Sequence, residues 1–146
     1  MSLSPSQPAK VVVACVDGAG RSQMAVAFFN ALADPEHARA VAAGTRPASR
    51  VHPEVVAAMN ETGSDLAHVR PRPLTPELCE GAALLITMGC KEQCPVAPGA
   101  RSEDWPLADP RGLEPKDLRP IRDEIRRRVS ELIQRERWGN RALSPP

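Results

Sequence analysis

Hydrophobic and polar positions alternate between two spacings along the chain, and the switches between them mark the elements. Val11-Val12-Val13-Ala14-Cys15-Val16 is a β-branched run of the length of a buried strand. Asp17-Gly18-Ala19-Gly20 interrupts it. Met24, Ala25, Phe28, Phe29 and Leu32 then recur at helical spacing and predict a helix over Gln23 to Leu32. Asp34-Pro35 ends that helix, since a residue before proline avoids the helical region. Its two phenylalanines read as core. Arg39 to Ala43 predicts a second strand closed by Gly44. Pro53 suits the first turn of a second helix, on which Val55, Val56 and Met59 share a face before Gly63 stops it.

Thr75 to Glu80 predicts a short helix, with Cys79 as a packed small hydrophobe. Ala82 to Met88 is an apolar run bounded like a buried strand. Gly89 to Arg101 is rich in Gly, Pro and polar residues and predicts a mobile loop, followed by a short fourth strand over Asp104 to Leu107. From Leu118, apolar positions 121, 125, 129, 132 and 133 trace one helical stripe. Asp123/Arg127, Glu124/Arg128 and Glu131/Arg135 lie four apart on its exposed side. Strands separated by helices predict an α/β unit with a parallel sheet, and no repeat or second domain is visible.

A length of 146 residues is that of one domain with a real core. A net charge of +1 offers no global field for nucleic acid or an anionic membrane. Sixteen arginines outnumber three lysines, but this bias points to no function. With two Trp, two Phe and no Tyr, the core must be aliphatic, and no aromatic platform for bases is present. Residues 1–9 are Ser/Pro-rich without the basic and apolar regions of a signal peptide, and no apolar run reaches the ~20 residues of a membrane span. Four cysteines in such a chain indicate reduced thiols and a cytoplasmic location.

The chemistry converges on the loop after the first strand. Strand, glycine-containing loop and helix in that order gather main-chain N–H groups from Val16, Asp17, Gly18, Ala19, Gly20, Arg21 and Ser22 around one point, a concave oxyanion site. Cys15 belongs at its lip. A thiol attacks as thiolate, and a helix N-terminus with a nearby arginine favours that form. Arg21 offers a planar fork to two oxygens of a tetrahedral anion, and the Ser22 hydroxyl can donate to the Cys15 sulfur. The alternative is a buried cysteine at a strand end beside an unrelated surface arginine. His52, next to Pro53, is assigned no role.

Cys90 and Cys94 follow the buried strand directly. Four apart, they share a face if the piece is helical, within the ~4.4–6.8 Å Cα separation of a disulfide. They read as incidental thiols, as part of a metal site, or as a redox pair working with Cys15. Structural zinc needs four N/S ligands, and no matching Cys or His pair stands at suitable spacing, so no metal site is expected. Asp109, extended by Pro110, reads alone as a turn residue.

Cys15-x5-Arg21-Ser22 with Gln23-Met24-Ala25, Ala43-Gly44-Thr45, Thr87-Met88-Gly89-Cys90, Cys94-Pro95, Glu103-Asp104-Trp105 through Asp109-Pro110 and Ile121-Arg122-Asp123-Glu124-Ile125 resemble the arsenate reductases built on the low-molecular-weight protein tyrosine phosphatase fold. The resemblance runs from about Lys10 to Arg135 in family order. It implies four parallel strands with helices on both faces in one domain over 10–138, between a disordered lead (1–9) and tail (139–146). It also implies that Cys15 attacks arsenate, that Asp109 protonates the departing oxygen, and that Cys90 and Cys94 pass the oxidation to an external thiol reductant such as thioredoxin. No bound cofactor is implied. One departure stands out: the family commonly has asparagine where this chain has Gly18, which puts loop rigidity and any potassium site using that asparagine in question. Asp17 brings a negative charge beside an anion site and is expected to face solvent. Two other functions fit the same loop: a phosphatase using Cys15, Arg21 and Asp109, and a non-catalytic oxyanion or arsenite binder.

Overall fold

The computed structural model describes residues 8–89 and 99–139. Cys90 and Cys94, most of the Gly89–Arg101 loop and most of the expected lead and tail lie outside them. Four parallel strands, β1 (Ala9–Cys15), β2 (Ala38–Gly44), β3 (Ala82–Met88) and β4 (Arg101–Asp104), stand in the order β2-β1-β3-β4. The helices are α1 (Arg21–Leu32), α2 (Pro53–Asn60), α3 (Pro76–Cys79) and α4 (Pro115–Glu136). At the two ends of the described chain, Ala9 opens β1 and Gly139 bridges to Ala33.

Alternation along β1 divides the interior. Val11, Val13 and Cys15 join the large cluster with Met24, Phe29, Met59, Leu118 and Ile125, so α1, α2 and α4 cover that face. Val12 and Ala14 point to the other, where they meet Cys79 of α3 and Leu85. Phe28 and Phe29 are core, as expected, with Phe29 edge-on to Trp138 at 5.8 Å. Chain order reverses across β1, since β2 lies on one side of it and β3 on the other. The carboxyl end of a strand at such a switch point is where open sheets of this kind take ligands.

Most element ends shift by one or two residues from the sequence reading, and two elements start three residues away from it. The fourth strand is Arg101–Asp104, not Asp104–Leu107: it is a charged edge strand with little apolar pattern, and Pro106 halts it after the Trp105 N–H donates to the Thr87 carbonyl (2.8 Å). The last helix starts at Pro115, which suits the first turn, rather than near Leu118. Of its expected i,i+4 pairs, Glu124–Arg128 forms (2.9 Å), whereas Arg127 bonds Glu124 and Glu131 and Asp123 bonds Arg122. Arg135 instead reaches Glu103 and Glu136.

Arg122 is buried in the stripe where a hydrophobe would be expected. It donates to the Ala58 carbonyl (2.9 Å) and to Glu61 (2.7 Å), tying α4 to the end of α2. Hydrogen bonds from Arg119, then Arg122, hold the Glu61 carboxyl down at about 2, from an ordinary 4.5. A carboxyl lowered on folding adds stability that is complete above its unfolded value and disappears as pH falls through its folded one. Urea midpoints of wild type and Glu61→Gln should therefore differ most above about pH 4.5 and converge near pH 2. A difference that persists undiminished at pH 2 would assign the effect to packing instead.

Candidate oxyanion site

β1 delivers Cys15, the next five residues form the loop, and α1 begins at Arg21 with Gly20 as its N-cap. No side chain caps that helix start, so its first N–H groups are left to a ligand. Every carbonyl from Cys15 to Gly20 has a protein donor. Thr45, Arg46, Ala48 and His52 N–H groups donate to Cys15 (3.2 Å), Val16 (2.9 Å), Asp17 (2.9 Å) and Ala19 (3.0 Å). Gln23 Nε2 donates to Gly18 (2.8 Å) and Met24 N–H to Gly20 (3.1 Å). In a trans peptide the following N–H points the opposite way, so the N–H groups of Val16 to Arg21 turn from those partners. That is the polarity an anion site requires.

Cys15 is 2 % exposed, at the floor of this loop rather than at an open lip. Its Sγ lies 3.1 Å from the Oγ of fully buried Ser22, the contact expected from their spacing. Arg21 Nη1 donates to the Leu107 carbonyl (2.7 Å), and a Cβ added to Gly89 would stand 3.0 Å from that nitrogen. One of the five guanidinium donors is thus spent on anchoring. Gly89, the residue bonded to Cys90, packs against the fork.

Gly18 takes φ +61°, and a Cβ there would meet Gly44 N at 2.8 Å and the Ala43 carbonyl carbon at 3.0 Å. Reciprocally, a Cβ on Gly44 would lie 2.6 Å from Gly18 N. The loop is seated on the end of β2 backbone against backbone, with no room for a side chain at either place.

Asp17 corrects the expectation of a solvent-facing carboxylate. It is about a quarter exposed (24 %) and paired with His52 Nε2 (3.4 Å) and Arg111 Nη1 (3.6 Å). His52, left without a role above, therefore serves this loop twice, through its backbone N–H and its ring. Asp109 is exposed, and its Oδ1 accepts the Arg111 N–H (2.9 Å). Pro110 brings this turn to the loop, its Cγ 3.1 Å from where a Gly20 Cβ would sit. Glu54 accepts the Gly112 N–H. Burial works to raise the Glu54 carboxyl, but the Gly112 bond, its own backbone N–H and the His52 charge outweigh burial and the opposing Asp109, leaving it below the usual value. His52, Glu54 and Arg111 carried no spacing signal, because each comes to the site from a distant part of the chain, whereas Gln23 and Gly44 stood in the motifs of the resemblance. Among the described residues, no group of three or more His, Cys, Asp or Glu side chains is placed to hold a metal, and no helix is long and apolar enough to cross a membrane.

The family described as low molecular weight phosphotyrosine protein phosphatase matches residues 10–138. The chain is 37 % identical to a "putative arsenate reductase" of Halobacterium salinarum over 135 residues, covering 90 % of this chain and 95 % of that protein. It is 32 % identical to the "glutaredoxin arsenate reductase" of Synechocystis sp. over 127 residues, 85 % of this chain and 95 % of the other. Among solved structures, it superposes on a thioredoxin-dependent arsenate reductase of Corynebacterium glutamicum with a TM-score of 0.76 and 34 % identity. That match covers 90 % of this chain and 63 % of the other, so this chain spans less than two thirds of that protein.

The glycine contact makes a specific claim. Restoring asparagine at 18 should not tighten the loop: its Cβ must displace the Gly44 backbone, and Gly18→Asn should cost roughly 1–3 kcal/mol of stability and weaken inorganic phosphate binding. Urea unfolding with and without phosphate measures both. A variant more stable and tighter-binding than wild type would refute the backbone-seating account.

Proposed function

Because the chain belongs to the low molecular weight phosphotyrosine protein phosphatase family, we propose that it reduces arsenate to arsenite with Cys15 as the attacking thiolate. The observation that carries this reading is the loop's polarity: all its carbonyls are engaged by protein donors, and the Cys15 sulfur lies 3.1 Å from the Ser22 hydroxyl. Arsenate is a tetrahedral oxyanion of the size and charge of phosphate. The turned N–H groups and the remaining Arg21 donors bind its oxygens, which offsets the charge carried into the transition state.

The Cys15 thiolate forms a bond to arsenic as one oxygen departs as water, taking a proton from Asp109. The Cys90 thiolate then attacks the Cys15 sulfur. A Cys15–Cys90 disulfide forms, the sulfur–arsenic bond breaks with both electrons left on arsenic, and arsenic(V) departs as arsenic(III) in arsenite. Cys94 attacks Cys90 and releases Cys15 as thiolate, leaving a Cys90–Cys94 disulfide for an external dithiol to reduce. The contact between Gly89 and Arg21 supports this sequence, since the chain that continues into Cys90 starts at the anion site. Thioredoxin and glutaredoxin are the reductant classes named for the relatives, and thioredoxin is the one we assign. Such a cycle belongs in a reducing compartment, the cytoplasm.

The family match favours a second activity of the same loop, hydrolysis of phosphate monoesters through a phosphocysteine on Cys15. With two Trp, two Phe and no Tyr, the chain has few aromatic walls to offer phosphotyrosine, so a small oxyanion is the better-fitting substrate.

Coupled NADPH oxidation with arsenate decides between the readings, run once with thioredoxin and its reductase and once with glutaredoxin and glutathione. Wild type should turn over, preferentially with thioredoxin, and Cys15→Ser should not. Cys94→Ser should lose roughly a hundredfold or more of arsenate turnover while retaining hydrolysis of 4-nitrophenyl phosphate. Undiminished reduction by Cys94→Ser would remove that residue from the cycle. Phosphate binding with neither turnover would leave a non-catalytic oxyanion binder.

A further inference from the structure

The turn that carries Asp109 is exposed, yet it is fastened to the site at both its side chain and its backbone. Arg111 and Gly112 occupy its middle, with Gly112 at φ +79° and the Leu113 N–H returning to the Pro110 carbonyl (3.2 Å), a turn geometry that suits glycine at this place. Inside the turn, the Asp109 carboxylate accepts the Arg111 N–H. Three contacts then hold the turn from outside. Pro110 packs on Gly20 of the oxyanion loop, the Arg111 guanidinium pairs with Asp17 of the same loop, and the Gly112 N–H donates to Glu54 at the start of α2.

These contacts differ in strength. An ion pair between partly exposed side chains such as Arg111–Asp17 contributes little. A hydrogen bond from a main-chain N–H to an ionised carboxylate contributes more. Glu54 is therefore the firmer fastening, and Asp17 fixes direction, since it ties the turn to the loop that binds the anion. Each carboxylate also serves its own element: Glu54 lies in the first turn of α2, where a negative charge favours the helix start, and Asp17 also pairs with His52.

We propose that Glu54 and Asp17 are positioning residues, a two-carboxylate clamp that holds the Asp109–Gly112 turn against the oxyanion loop and so sets where the Asp109 carboxyl stands. The clamp as a structural device stands on these contacts; its effect on rate rests on the assignment of Asp109 as proton donor in the reduction proposed above. Both carboxylates are negative groups beside an anion site, which would weaken oxyanion binding if left free. Spending them on the turn turns that liability into orientation of the acid. Proton transfer to a leaving oxygen contributes about 10²–10⁴ in rate, and loss of alignment forfeits part of it while the anion is still bound.

The test measures turn mobility, binding and rate on one set of variants: Glu54→Ala, Glu54→Gln, Asp17→Asn and Glu54→Ala in an Asp109→Asn background. Hydrogen–deuterium exchange reads the amides from Leu107 to Leu113, titration reads inorganic phosphate binding, and steady-state kinetics reads arsenate turnover. Glu54→Ala should speed exchange in that stretch about tenfold and lower kcat about tenfold, with phosphate affinity changed less than about twofold. Glu54→Gln, which keeps an acceptor oxygen, should recover most of both. Asp17→Asn should bind phosphate as well as or better than wild type, yet show a lower kcat. With Asp109 already replaced, Glu54→Ala should cost nothing further. Unchanged exchange in both Glu54→Ala and Asp17→Asn overturns the clamp, as does kcat loss matched by an equal loss of phosphate affinity. If wild type itself fails to reduce arsenate, the functional reading falls, and the exchange and phosphate arms still decide whether the clamp exists.

Discussion

Four main-chain N–H groups on the segment leaving β2, those of Thr45, Arg46, Ala48 and His52, hold four carbonyls of the loop that follows β1. Everything proposed for the site depends on that bracing. A loop of six successive peptides left to itself would mix orientations and present carbonyls as often as N–H groups to a bound anion. With the carbonyls drawn outward, the donors are preorganised before any ligand arrives, and binding costs little rearrangement. The bracing also explains the paired glycines. For the 45–52 segment to run close enough to hydrogen-bond the loop, Gly18 and Gly44 must approach to distances that leave no space for a Cβ on either. Where an asparagine side chain would hold such a loop by hydrogen bonds, this chain uses direct backbone contact.

The parts of the fold legible from sequence are those set by local pattern. The β-branched run before Cys15, the Met24–Leu32 stripe and the Ala82–Met88 run reappear as β1, α1 and β3, because each is apolar enough for burial to dictate its conformation. Cys79 is buried as a small hydrophobe, and desolvation raises its thiol as that role requires. The Cys15–Ser22 contact was legible too, since one turn of helix after a short loop fixes it. The fourth strand was misplaced because an edge strand of Arg-Ser-Glu-Asp carries no hydrophobic signature, and its position is set by pairing with β3. Arg122 and Glu61 were invisible for the same reason: their partnership spans sixty-one positions in the chain and exists only once α2 and α4 pack. His52, Glu54 and Arg111 belong to this class. A residue that serves a site from another element leaves no periodic trace.

Acidic side chains near an anion site pose a problem that the structure answers by pairing. Asp17, Glu54 and Asp109 all lie close to the oxyanion loop, and each carboxylate engages a donor: Asp17 the His52 and Arg111 side chains, Glu54 the Gly112 N–H, Asp109 the Arg111 N–H. A carboxylate so engaged has part of its charge offset locally, and its repulsion of an arriving dianion is correspondingly reduced. Arg21 follows the same logic with opposite sign. Its tie to the Leu107 carbonyl keeps a long, rotamer-rich side chain from sampling solvent, at the expense of one donor out of five. Leu107 precedes Asp109 by two residues, so the segment that steadies the cation also carries the carboxylic acid. Movement of that segment would disturb the guanidinium and the proposed proton donor together. In the reaction proposed above, binding and proton delivery are thereby coupled through a few residues of backbone.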